Sequence, residues 1–229
     1  MSSRLASKWV LITGASSGFG AAAARAFAAE GCNLILGARR TDKLEAVAAE
    51  ARKLGAPTAV FHKLDVSDTT SVNRFAEGIP ALTSQIDVLV NNAGGAHGID
   101  TVANGKDADW EAMVQVNLLG VMRVTRAILP YMVKNPGSYI LNIGSVAGRQ
   151  AYEGGSVYCG VKAAEIMITR SLRLELNGTW SRSIGPQSTL SINANYALNS
   201  SSSLLGLPGA TFALPGTSPF SPFGTDVTV

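Results

Sequence analysis

The chain has 229 residues, and 46% of them are apolar, so it is long enough for one large domain or two small ones. Its 19 basic and 16 acidic residues contain no basic run that would neutralise successive phosphates, so we expect no nucleic-acid partner. The apolar run over residues 9–12 stops at Gly14, which predicts neither a secretion signal nor a membrane span. Cys32 and Cys159 are too few for a disulfide framework, and with no metal-ligand spacing we expect no metal and a cytoplasmic location.

Strand-like and helical segments alternate along most of the chain. In chain order we predict a strand over 8–13, a helix over 18–31, a strand over 33–38, a helix over 42–54, a strand over 58–64, a helix over 68–77, a strand over 86–90, a helix over 110–132, a strand over 138–143 and a helix over 156–176. Strands that are apolar on both faces and alternate with helices predict an α/β fold with a parallel sheet covered on both sides.

The composition changes near residue 180. Residues 180–229 are rich in Ser, Gly and Pro and contain two charged residues, Arg182 and Asp226, which is typical of loop or disordered segments. Within them, residues 190–198 alternate between apolar and polar side chains, which predicts a strand at a sheet edge. We therefore predict a dinucleotide-binding and catalytic domain over 1–179 and an atypical tail over 180–229.

A glycine-rich turn joins the first predicted strand to the first predicted helix. Backbone N–H groups at a helix N-terminus bind phosphate, and glycines let the backbone approach the ligand closely. The alternative is a purely structural turn, but strand, turn, helix and second strand follow in the order of a dinucleotide site. The candidate cofactor-binding residues here are Gly14, Ser16, Ser17, Gly18, Phe19 and Gly20.

Arg39 and Arg40 directly follow the second predicted strand, at the place where an acidic residue would bind the ribose 2′-hydroxyl of NAD. Two guanidinium groups suit a 2′-phosphate and favour NADP(H); the alternative is that both are solvated charges at the start of a helix. Asp65 and Val66 follow the third strand and are further cofactor candidates. Asp65 suits either a bond to the adenine amino group or a cap of the following turn.

Tyr158 and Lys162 lie four residues apart on the last predicted helix and therefore on one face. A phenol is a poor base at neutral pH, but a nearby cation stabilises the phenolate, which can then exchange a proton with a hydroxyl or carbonyl oxygen. The same spacing also arises by chance. Two further residues complete the candidate catalytic set. Ser145 lies just beyond the fifth strand and would hold the substrate oxygen. Asn117 lies within the long helix and would anchor a water that links Lys162 to solvent.

The chain resembles the short-chain dehydrogenase/reductase family in T-G-A-S-S-G-F-G from Thr13, N-N-A-G from Asn91, the single residues Asn117 and Ser145, and Y-C-G-V-K from Tyr158. The resemblance implies a Rossmann-type, doubly wound parallel sheet and hydride transfer between a nicotinamide and a small hydroxy or carbonyl substrate. It implies Tyr158 as the acid/base, Lys162 on the nicotinamide ribose, Ser145 orienting substrate and Asn117 in a proton relay. The residues Asn92, Ala93 and Gly94 would line the cofactor.

Two segments, G-A-R-R at 37–40 and S-L-R-L-E-L-N-G-T at 171–179, are similar to NADP-dependent enzymes that act on serine and other small 3-hydroxy acids. Family members associate through the two long helices, here 110–132 and 156–176, which implies a homodimer or homotetramer. The resemblance covers residues 5–179. Beyond them, the family's last two strands, its Pro-Gly turn and its substrate-covering loop and helix are replaced.

Two functions stay open at this point. The intact motifs favour an NADP-dependent oxidoreductase. The tail, which we expect to derive from a shifted reading frame, an unspliced segment or an alternative transcript, favours an NADP-binding but catalytically impaired variant or a regulatory module. Without a sixth strand, the strand over 138–143 would be an open edge, which residues 190–198 are available to cover.

Overall fold

The computed structural model describes residues 5–133, 137–183, 191–193, 213–214 and 227–228, with side chains over 5–133 and 137–176. By internal contacts the chain divides into two units, Met1–Ala194 and Asn195–Val229. In the second unit, Ala213–Leu214 pairs antiparallel with Val227–Thr228. The sites described below belong to the first unit.

The first unit alternates strands and helices. Its elements are β1 (Trp9–Thr13), α1 (Gly18–Ala29), β2 (Asn33–Ala38), α2 (Thr41–Leu54), β3 (Ala59–Lys63), α3 (Thr69–Glu77), β4 (Val88–Asn91), α4 (Asp107–Met113), a π-helical turn (Val114–Leu119), α5 (Gly120–Met132), β5 (Tyr139–Asn142), α6 (Ser156–Ser183) and β6 (Ser191–Asn193). Local chemistry sets several ends. Asp68 caps α3 by accepting from the Thr70 N–H at 2.9 Å, and Gly55 ends α2 at a φ of 120°.

The strands form one parallel sheet in the order β3-β2-β1-β4-β5-β6. The chain moves outward from β1 through β2 and β3, and then returns to the other side of β1 to form β4 and β5. In register, Ile12 of β1 lies between Leu36 of β2 and Val90 of β4. The carboxyl ends of β1 and β4 therefore meet where the strand order reverses, which is where open α/β sheets bind ligands.

Two apolar layers cover the sheet. On one face, α1 and α2 pack their alanines and Leu44 against Val10, Ile12 and Leu34. On the other face, α3, α5 and α6 pack against the alternate strand residues, including Leu11 and Ile140. Because both faces are covered, the strands are apolar on both sides, which is the sequence pattern that predicted a parallel sheet. The predicted fold class is confirmed.

The helix predicted over 110–132 differs in detail. The helical run begins at Asp107, and a π-helical turn over Val114–Leu119 interrupts it. There the Asn117 side chain donates to the Met113 carbonyl at 2.9 Å, a local bond that the apolar periodicity does not encode. The closing helix, α6, begins at Ser156 as predicted but extends to Ser183, seven residues beyond its predicted end at Leu176.

The run Asp107–Met132 is the one helical stretch in the described part of the chain that is long and apolar enough to cross a bilayer, with a mean hydropathy of 1.3. Val124, Ile128 and Met132 of this run pack into the apolar layer beside the sheet. The core helix of a folded domain has the same length and composition, so this feature by itself assigns no membrane role.

The sheet edge beyond β5 is paired over three residues. Ser191, Ile192 and Asn193 of β6 lie parallel to Tyr139, Ile140 and Leu141. The edge strand predicted over 190–198 is therefore present at these three residues, and the rest of that prediction lies outside the described residues. The predicted boundary between residues 179 and 180 stays a prediction.

Candidate active site

The Thr13 side chain joins the ends of β1 and β4. Its Oγ1 accepts from the backbone N–H groups of Asn92 and Ala93, each at 3.0 Å, and donates to the Val90 carbonyl at 3.4 Å. The Asn92 amide in turn donates to the carbonyls of Thr13 and Gly14, at 3.0 and 3.2 Å. The predicted cofactor residues Asn92 and Ala93 thus hold the glycine-rich turn in place.

The turn has no room for side chains at two of its glycines. Gly14 has a φ of +65°, and a Cβ there would lie 2.8 Å from the Ala93 Cα. A Cβ on Gly20 would collide with the Asn92 amide nitrogen and the Gly14 carbonyl oxygen. At the start of α1, no side chain caps the helix from Ser17. The N–H groups of its first turn are therefore available to an anion.

Arg40 lies against this turn. Its guanidinium donates to the hydroxyls of Ser16 and Ser17, at 3.1 and 2.6 Å, across 24 and 23 residues of sequence. Arg39 is exposed, and so are Gly18 and Phe19, the latter at 80%. The structure therefore brings Arg40, which follows β2, next to the N-terminus of α1.

Asp65 and Val66 follow β3. Asp65 accepts from the Ser67 N–H at 3.0 Å and from its hydroxyl at 2.6 Å, so it caps the turn, one of its two predicted roles. Burial raises the pKa of Asp65, but the two bonds from Ser67 and the charges of Arg39 and Lys63 outweigh it and lower that pKa below its ordinary value. Val66 is buried in the apolar layer around α3, α5 and α6.

Asn117 is fully buried in the π-helical turn. Its Oδ1 accepts from the Gly95 N–H at 3.0 Å, and its Nδ2 donates to the Gly95 carbonyl at 2.8 Å. The same Oδ1 lies 2.7 Å from where a Cβ on Gly94 would be, and the Lys162 ammonium lies 3.7 Å from that point. The N-A-G loop, Asn117 and Lys162 are therefore one cluster.

Ser145 and Tyr158 stand on the segments after β5. The Ser145 hydroxyl accepts from the Ala147 N–H at 3.2 Å and so caps a short 3₁₀ turn. Tyr158 is half-buried and lines a surface groove together with His97, Lys106 and Trp110. Burial, and then the proximity of Cys159 and Tyr158, raises the pKa of the neighbouring Tyr152.

Lys162 is 5% exposed, and its ammonium is hydrogen-bonded within the fold. It donates to the Ile143 carbonyl at 2.9 Å and to the Glu165 carboxylate at 2.8 Å. Burial raises the pKa of Glu165, and the charge and hydrogen bond of Lys162 act against that rise. Glu165 is not among the site residues predicted from the sequence. Its signal is an acidic residue three positions after Lys162 on the same helix face.

A chain of buried polar side chains was likewise not predicted from the sequence. The Asn91 amide donates to Thr125 Oγ1 at 3.0 Å and to Asn142 Oδ1 at 2.9 Å. Asn142 donates to Thr169 Oγ1 at 2.8 Å, and Thr169 donates to the Glu165 carbonyl at 2.8 Å. These bonds tie α5, β4, β5 and α6 together beneath the catalytic candidates.

Residues 8–182 match the family model of the short chain dehydrogenases. An NADP-dependent 3-hydroxy acid dehydrogenase of Schizosaccharomyces pombe is 46% identical over 175 residues, which cover 76% of this chain and 67% of that protein. The serine dehydrogenase of Escherichia coli superimposes with a TM-score of 0.71 at 34% identity, over 80% of this chain and 79% of that one. A metagenomic short-chain oxidoreductase in complex with NADP superimposes with a TM-score of 0.73 at 33% identity, over 82% of this chain and 81% of that one.

A Rossmann-type sheet with a glycine-rich turn at its switch point defines a dinucleotide-binding fold. With the family match over residues 8–182, the chain belongs to the short-chain dehydrogenase/reductase family. The resemblance drawn from the motifs is confirmed.

Proposed function

We propose that this chain is an NADP-dependent oxidoreductase that interconverts a hydroxyl and a carbonyl group on a small substrate. The observation that carries the proposal is the convergence of Arg40, the open N-terminus of α1 and the Asn117 and Lys162 cluster along the carboxyl ends of β1, β2, β4 and β5. The relative named for 3-hydroxy acids supports a substrate of that class.

The residues present fit NADP(H). The first turn of α1 offers N–H groups to the pyrophosphate, and the glycines leave room beside it. Arg40, already bonded to Ser16 and Ser17, supplies a guanidinium for the 2′-phosphate, and Arg39 adds a second one nearby. When bound, the nicotinamide accepts or supplies the hydride.

The chain's own residues manage the proton. The Tyr158 phenol gives a proton to the carbonyl oxygen during reduction and takes it back during oxidation. Lys162 stabilises the phenolate through its charge and binds the ribose, and Ser145 holds the substrate oxygen. Asn117 fixes the loop at Gly95, which brings that loop close to Lys162.

Following NADPH absorbance with small ketones, aldehydes and 3-hydroxy acids tests this role. We expect Tyr158→Phe to lower kcat by about 10² to 10⁴-fold, the range of one lost acid/base group. Tyr152→Phe, which removes a neighbouring exposed phenol, is the matched control and should stay near the unmodified chain. Equal activity of Tyr158→Phe and the unmodified chain would refute the role.

Cofactor choice is tested separately. We expect Arg40→Ala to raise the Kd for NADPH about tenfold or more, since a hydrogen bond to a charged group contributes roughly 1.5 to 3 kcal/mol, and to leave NADH binding nearly unchanged. Arg39→Ala should act in the same direction. Lys53→Ala removes an exposed positive charge at the far end of α2 and is the control. An equal loss for both cofactors would contradict the assignment.

One observation favours a second candidate, a chain that binds NADP(H) without turnover. The family match ends at residue 182, and the matched segment spans 67% of the Schizosaccharomyces pombe relative. Raised melting temperature with NADPH and no turnover on any substrate would support this candidate.

Self-association through the outer faces of α5 and α6 is also part of the proposal. Met122 on α5, and Met167 and Leu174 on α6, are large apolar side chains that are 39%, 58% and 74% exposed. The expected product is a homodimer or homotetramer, and light scattering after gel filtration measures its mass. The cytoplasmic location stays a prediction.

A further inference from the structure

A buried ion pair lies on α6 one helical turn after the proposed catalytic tyrosine. Lys162 and Glu165 are 5% and 2% exposed, and their charged atoms are 2.8 Å apart. The second carboxylate oxygen, Oε1, is buried and has no hydrogen-bond partner among the described residues. Burying a carboxylate whose second oxygen lacks a hydrogen bond costs free energy. The negative charge of Glu165 therefore depends strongly on the adjacent ammonium for its stabilisation.

Lys162 is also the charge that the proposed mechanism requires. In that mechanism its ammonium stabilises the Tyr158 phenolate one helical turn earlier. In the structure the same ammonium is held between the Glu165 carboxylate and the Ile143 carbonyl. A carboxylate in contact with an ammonium cancels much of its field at a third group, because the two opposite charges act together as a dipole.

The described ionisable groups around this pair lie mostly at the surface. Besides the sheet, the elements that pack against α6 include the π-helical turn, the 3₁₀ turn Val146–Gly148 and α4, and of these α4 carries ionisable side chains. They are Asp107 and Glu111, which are exposed, and Asp109, which lines the surface groove. Arg149, beside the 3₁₀ turn, is exposed, and Tyr139 of β5 packs on the opposite face of the sheet.

We propose that Glu165 is a positioning residue that holds the Lys162 ammonium against the Ile143 carbonyl and partly neutralises it, which sets the pH at which Tyr158 loses its proton. This inference rests on the proposed function, since it assigns Glu165 a role toward the same tyrosine. Burial of Glu165, its contact with Lys162 and its unpaired oxygen carry the inference. Removing the carboxylate should free the positive charge for the phenolate.

The test measures Tyr158 ionisation on the full chain without cofactor. Because Tyr158 and Tyr152 influence each other, tyrosinate absorbance is followed against pH in the Tyr152→Phe background, with and without Tyr158→Phe, so that the difference isolates Tyr158. The same pair is then measured in the Glu165→Gln background. We expect the Tyr158 midpoint to move to lower pH by about one pH unit, a tenfold change in its ionisation constant. Glu175→Gln removes an exposed charge from the same helix and should leave the midpoint in place.

A second variant and a kinetic readout keep structural effects separate. Glu165→Leu lacks any polar group and should shift the Tyr158 midpoint in the same direction as Glu165→Gln. In the active enzyme, the acidic limb of the kcat/KM profile for oxidation should move to lower pH by a similar amount, which simple loss of folded protein would not cause.

The outcomes separate the two proposals. A shifted midpoint without turnover supports the role of Glu165 and counts against the proposed activity. Turnover that depends on Tyr158, with the same midpoint in all backgrounds, overturns the role of Glu165. Failure of both Glu165 variants to fold, while Glu175→Gln folds, assigns Glu165 to stability alone and also overturns it.

Discussion

Thr13 offers a sharp test of how the site is assembled. The side chain is 1% exposed and accepts from two backbone N–H groups, those of Asn92 and Ala93. Thr13→Val keeps the shape of the side chain but replaces the acceptor oxygen with a methyl group. Each stranded donor costs about 1 to 3 kcal/mol, and the lower end applies because Asn92 and Ala93 are only half-buried. We expect a net loss of about 2 kcal/mol in the free energy of unfolding.

A loss of this size is measurable by thermal or urea unfolding. For a domain of this length, 1 kcal/mol shifts Tm by about 2 to 4 °C, so Thr13→Val should melt about 4 to 8 °C lower. Thr13→Ser keeps the oxygen and loses one methyl group, which costs about 1 kcal/mol. If apolar burial alone decided stability, Thr13→Val would have a higher Tm than Thr13→Ser. A valine variant that melts at or above the serine variant would therefore refute the hydrogen-bond argument.

The remaining predictions concern packing at glycines and the pH dependence of stability. Gly20→Ala should lower Tm and weaken NADPH binding, because its Cβ collides with Asn92 and with the Gly14 carbonyl. Gly160 is an exposed helical residue, and a Cβ there would meet none of the described residues, so Gly160→Ala should raise the free energy of unfolding by about 0.5 to 1 kcal/mol. Equal effects of the two substitutions would contradict the steric argument. Burial raises the folded-state pKa of Glu165, although Lys162 opposes the rise. Protonation of Glu165 therefore contributes stability that is fully present below the unfolded-state pKa and is lost as pH rises through the folded-state pKa. The Tm of Glu165→Gln, relative to that of the unmodified chain, should therefore rise between pH 4 and pH 8. A Tm difference that stays constant across this range would show that Glu165 has the same pKa in the folded and unfolded states.

Local patterns were sufficient for the order and type of the elements. Apolar runs and helical periodicity are properties of neighbouring residues, so the strand over 33–38 was predicted to the residue and β1 to within one. The glycine-rich turn and the pair Tyr158 and Lys162 were identifiable for the same reason, since their spacing is short. The roles assigned to these residues remain predictions.

Contacts between distant segments were decided by the tertiary structure. Thr13 and Asn92 are 79 residues apart, and Arg40 and Ser17 are 23 apart, so no local pattern shows that they bond. The Lys162 ammonium bonds to the Ile143 carbonyl, 19 residues away, and α6 packs against the π-helical turn. The sequence of α6 by itself encodes neither contact. The sequence by itself determined which groups are available to the site. The packing of the sheet and its helices decided which of them meet, because burial and hydrogen bonding depend on distance in space and not on distance along the chain.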